Sequence, residues 1–154
     1  MASETATART DSTATEPWEA GVAAGALAAI VMGAMMVSQM RPVLEVAIPS
    51  MYALTGGAAG FTIHVAHGAV LGVVFAGIAG AAELDSTAKS LGAGVAYGVA
   101  LWAVLAVLVM PVWLGVVGSP ANPPLPNVNT TSLVGHVVYG AVLGAAYPTV
   151  EGLF

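Results

Sequence analysis

His64-Val65-Ala66-His67-Gly68-Ala69-Val70-Leu71-Gly72 returns 72 positions later as His136-Val137-Val138-Tyr139-Gly140-Ala141-Val142-Leu143-Gly144. Seven of the nine positions are identical, and each copy lies a few residues inside a long apolar run. Between Glu45 and Glu83, and again between Lys89 and Glu151, the chain has no Asp, Glu, Lys or Arg. Both runs exceed the roughly 20 residues that cross about 30 Å of hydrocarbon, so each holds at least one membrane helix. The two copies therefore play equivalent parts in two membrane spans.

Working outward, the repeat reaches further. Ala20-Gly21-Val22-Ala23-Ala24-Gly25 is matched by Ala93-Gly94-Val95-Ala96-Tyr97-Gly98, and Arg41-Pro42-Val43 by Met110-Pro111-Val112. The pattern predicts an all-α integral membrane four-helix bundle made of two tandem, parallel helical-hairpin repeats, about 19–84 and about 90–154. A repeat of two spans ends on the side where it began, so the halves are expected to be related by an axis along the membrane normal. The expected spans are about 19–40, 60–82, 90–112 or slightly beyond, and 131–148. An interfacial segment is expected over 43–54, broken near Pro49, with a turn at Gly56-Gly57. Asp85 is the expected cap of the third span, and Pro111 is expected to kink or end it. Residues 1–15, rich in Thr, Ser, Ala and Glu, lack apolar periodicity and are expected to form a disordered tail ahead of one transmembrane domain, 16–154.

Composition agrees with a lipid environment: 58% of residues are hydrophobic, 7% are charged, and the mean hydropathy is +0.89. The net charge of −5 argues against a nucleic-acid partner. The expected partners are the bilayer and, within it, other membrane subunits or further copies of the chain. Cysteine is absent, which removes disulfides and thiolate chemistry. Of three basic residues, Arg9 and Lys89 fall on the tail side and Arg41 on the other, so the positive-inside count places both termini in the cytoplasm. The expected location is the cell membrane.

Every span carries a glycine pair at four-residue spacing: Gly21 and Gly25, Gly68 and Gly72, Gly94 and Gly98, Gly140 and Gly144. Membrane helices gain no hydrophobic drive toward one another, so close backbone approach at such pairs is the expected packing device. His64, His67, Gly68 and Gly72 share one helical face, as do His136, Tyr139, Gly140 and Gly144. The imidazoles are thus expected to point into the bundle, where ionisable groups mark function by default. Two readings follow. In the first, His64 and His136 are interhelical hydrogen-bonding groups, with Tyr139, Thr62, Ser38 or Gln39 as partners and no cofactor. In the second, they are axial ligands of a b-type haem in membrane electron transfer, with Arg41 meeting a propionate.

Met32, Met35, Met36 and Met40 line one side of span one and, with His67, would suit a soft metal such as copper in a small permease. Methionine more often fills gaps between helices, so no metal site is expected. Catalytic residues are not expected either, because the span interiors hold no carboxylate and the chain no thiol. The expectation is a non-enzymatic polytopic protein, a small helical module or a subunit of a membrane complex.

The doubled His-x-x-His/Tyr-Gly-x-x-x-Gly element, the acidic Thr-rich tail and the four short-looped spans resemble a group of small haloarchaeal membrane proteins of unknown function. Some members carry a histidine-kinase label. Such a label implies an ATP-binding domain with Asn- and Gly-rich boxes, which these residues do not contain. The resemblance implies the fold and no active site.

Overall fold

The computed structural model describes residues 17–153, so the expected tail, 1–15, lies outside the described residues. Four long apolar helices make the bundle: α1 (Pro17–Gln39), α3 (Gly57–Ala81), α4 (Thr87–Val116) and α5 (Thr130–Glu151). A short helical segment, α2 (43–50), joins α1 to α3. All four long helices have the length and apolarity of membrane spans, which makes this a multi-pass all-α protein in contact with lipid. The chain runs up α1, down α3, up α4 and down α5, so α3 and α5 are parallel.

Packing is pairwise. α1 lies along α3, α4 lies along α5, and α1 against α5 joins the two hairpins, while α3 and α4 barely touch. Glycine sets both intra-hairpin seams. A methyl group on Gly25 would stand 2.8 Å from the Gly72 Cα, and one on Gly94 would stand 2.8 Å from the Gly144 Cα. Gly21 faces Gly72, Gly68 faces Ala29 and Gly25, and Gly98 faces His136 and Gly140 through their backbones. The two seams use the same residue type but differ in register by one turn: Gly21 meets the Gly72 carbonyl, whereas Gly94 meets that of Gly140. Beside the first seam, Ala20, Ala24, Phe75, Ala76 and Ala79 are buried, and Leu143 and Tyr147 of α5 close over them.

Several ends differ from expectation. Ser86, rather than Asp85, caps α4: its extended backbone lets the hydroxyl accept from the Lys89 N–H at 3.4 Å. Asp85 pairs instead with the Lys89 ammonium at 2.9 Å, and that hydrogen bond holds its carboxyl below the usual range. Both side chains are exposed, so the pair adds little stability. Pro111 and Pro148 do not end their helices, which run on to Val116 and Glu151, while α2 stops at Ser50, close to the break expected near Pro49.

The reason these prolines are tolerated is visible around two of them. Val43–Ala47 and Trp102–Val109 are wound as wider π turns, with Ile48 N–H bonded to Val43 O and Met110 N–H to Leu105 O. A proline just beyond such a stretch leaves the carbonyls four and five residues back without a helical donor. Past Pro111, Asn127 supplies both: its backbone N–H donates to Val107 O at 3.0 Å and its amide to Ala106 O at 3.3 Å. Past Pro49, Gly56 N–H donates to Glu45 O at 3.0 Å, and Gly60 lets Leu44 O approach where a side chain would collide. Each of these two helix ends is therefore tied to the chain entering the next helix.

Candidate functional site

The bundle is solid at one end and hollow at the other. Glycine and alanine close the end nearest residue 17. Toward the opposite end larger side chains, chiefly Met, Leu, Val and His, hold the helices apart around a cavity of about 570 Å³. α1 contributes Met32 and Met36, with Met40 just past its end, α3 contributes His64, His67, Val70 and Leu71, and α4 contributes Leu101, Leu105, Val109, Met110 and Trp113. α5 adds Ser132, His136 and Tyr139. The roof is made by α2, Met51, Tyr52 and the proline-rich loop through Asn127 and Asn129. Side-chain bonds hold the roof, among them the Ser50 and Ser119 hydroxyls at 2.7 Å, Trp113 Nε1–H to Met51 O at 3.2 Å and Trp102 Nε1–H to Asn129 O at 3.2 Å. Val70 and Val109 line the cavity yet are 64% and 48% exposed, so it opens sideways between α3 and α4.

All three histidines line this chamber, with five methionines: Met32, Met36, Met40, Met51 and Met110. Their hydrogen bonds differ from the expected ones. His64 Nε2 meets Ala29 O at 3.1 Å, because Gly33 leaves room for the ring to lie across α1. His136 Nδ1 meets Ser132 O at 2.8 Å, one turn back on its own helix, with the Ser132 hydroxyl at 3.5 Å. The two histidines bond backbone carbonyls rather than Thr62, Ser38, Gln39 or Tyr139. Ser38 instead bonds Met35 O at 2.9 Å on the exposed surface. A carbonyl oxygen only accepts, so the two rings carry opposite tautomers: His64 donates from Nε2 and His136 from Nδ1. Haem ligation through both Nε2 atoms would require His64 to release Ala29.

The repeat breaks at position 67/139, and both residues there make polar links. His67 Nε2 and the Tyr52 hydroxyl are 2.6 Å apart, with the rings tilted at 5.7 Å between centroids. Tyr139, buried, donates to Gly68 O at 2.8 Å and so ties α5 to α3. Tyr97 makes a second tie, from α4 to Leu71 O at 2.9 Å. Arg41 lies outside the chamber, paired with Glu45 at 3.0 Å on an exposed turn. The sequence pointed to the histidines and the glycines but not to Asn127, Tyr52 or Trp113. Asn127 had a signal, as an amide side chain amid prolines, opposite a helix that Pro111 deprives of a donor.

With this geometry in place, comparison with known proteins finds no relative: the chain matches no protein-family model, no curated protein and no solved structure.

Proposed function

We propose that this is a non-enzymatic membrane protein, alone or as a subunit of a larger complex, that takes a hydrophobic small molecule into its intramembrane chamber. One observation carries the reading: a cavity of about 570 Å³, lined mostly by apolar side chains, with His and Asn groups gathered toward its roofed end. Small-molecule sites have this volume and this mixture, an apolar body with a few polar groups that fix orientation. The charge count supports both termini in the cytoplasm, which sets the roofed end toward the outside.

The test fills the chamber. Leu105 lines it from α4, and Leu105→Trp would occupy much of the space. Wild-type protein in lipid nanodiscs is expected to bind a naphthalene-sized apolar probe above the level taken up by protein-free discs. The filled variant should lose that binding while keeping its helical circular dichroism. Equal uptake by both proteins would sink the reading.

A second reading, haem in membrane electron transfer, has one observation in its favour. His136 Nδ1 donates to a backbone carbonyl, which is the orientation that presents Nε2 to a metal. An absorption spectrum of the purified protein separates the two readings.

A further inference from the structure

The chamber's polar groups specify the head of the molecule it takes, an inference that rests on the binding reading above. His136 Nδ1 is 2.8 Å from Ser132 O, and only a protonated nitrogen makes that contact favourable. Among the described residues no acidic side chain lines the chamber to pair with an imidazolium, and an unpaired buried charge is costly. The ring is therefore neutral, and Nε2 carries a lone pair that no described residue engages. His64, bonded to Ala29 O through Nε2, likewise keeps its lone pair on Nδ1.

Three of the donors nearby are already committed. Tyr139 O–H goes to Gly68 O, Trp113 N–H to Met51 O, and the Asn127 amide to Ala106 O. Elsewhere in the lining Asn129, Ser132 and the Tyr52–His67 pair keep hydrogens to donate, whereas His136 Nε2 offers a lone pair alone. At that nitrogen a ketone or ether head would set lone pair against lone pair. A hydroxyl head would not.

We propose that the chamber selects a hydrophobic molecule carrying a hydroxyl, whether alcohol, phenol or hydroquinone, and that His136 Nε2 accepts its hydrogen bond.

The experiment compares 1-naphthol with 1-methoxynaphthalene, which share a ring system and an oxygen and differ in the O–H. Equilibrium binding is measured to wild-type protein in phosphatidylcholine nanodiscs, with protein-free discs as the partition baseline. Naphthol is expected to bind up to roughly tenfold more tightly, the worth of one hydrogen bond at the upper end of the usual range. In His136→Leu the two should bind about equally, because the acceptor is gone and the apolar chamber remains. Equal binding in the wild type, or selectivity that survives in His136→Leu, would overturn the proposal and leave the binding reading standing. Failure of both compounds to exceed the baseline in the wild type would remove the binding reading and this proposal together. If the variant does not fold, the wild-type comparison alone decides the head chemistry.

Discussion

The Tyr139 hydroxyl donates to the Gly68 carbonyl at 2.8 Å, joining the two parallel helices α5 and α3 across the bundle. Gly68 can be reached because it has no side chain, and Tyr139 reaches it because the second copy has a phenol where the first has His67. Tyr139→Phe should therefore destabilise the protein by about 0.6 kcal/mol, the average for interhelical hydrogen bonds in a membrane protein, and by no more than about 1.7 kcal/mol, the maximum. Thermal unfolding in detergent measures it. No change in stability would mean that the bond is dispensable to the bundle.

Two glycines of α3 make a matched pair. A methyl on Gly72 would stand 2.7 Å from the Gly25 Cα, whereas one on Gly77 meets nothing within 4 Å. Gly72→Ala is expected to cost about 1–3 kcal/mol through overpacking. Gly77→Ala should be neutral or stabilise by up to about 1 kcal/mol through helix propensity. The opposite ranking in thermal denaturation would mean that the seam is wrongly placed.

Asn127 and Pro111 are coupled through shared carbonyls. Asn127→Ala should cost about 1 kcal/mol by removing the bond to Ala106 O. In a Pro111→Ala background the helix regains its own donor, and the same change should cost less. A double-mutant cycle with no coupling energy would contradict the account of how the roof is anchored.

The chain's lack of cysteine allows a clean topology test. Ser86 and Asn122 lie in connectors at opposite ends of the bundle. In intact cells an impermeant maleimide is expected to label Asn122→Cys and spare Ser86→Cys. The reverse pattern would invert the orientation.

Protein purified from a haem-replete host is expected to be colourless, because His64 Nε2 is held by Ala29 O. A Soret band lost in both His64→Ala and His136→Ala would replace the chamber reading with the haem reading.

The four spans were legible in the sequence because lipid imposes long uncharged runs, and the glycine pairs because they recur on one face of each span. Helix ends at proline were not. Whether Pro111 or Pro148 stops a helix depends on whether something else supplies the missing donor, and for Pro111 that donor lies 16 positions along the chain, at Asn127. The histidines' placement beside a cavity was only half legible. Their face follows from helical spacing, but the hollow itself depends on how larger side chains sum across four helices. Their tautomers depend on Gly33 and Ser132, which spacing did not single out.

The gap between α3 and α4 sets what concentration means for this protein. Because the chamber opens sideways past Val70 and Val109, the reservoir of a ligand taken up as proposed would be the hydrocarbon of the bilayer and not the aqueous phase. Occupancy then follows the mole fraction of ligand among the lipids. Adding lipid at fixed protein and ligand would empty the chamber by dilution, while adding water would scarcely change it. Any affinity quoted per litre of buffer would fold in the ligand's oil–water partition. A poorly water-soluble compound could fill the site at vanishing aqueous levels, and the membrane's own composition would act as the dose.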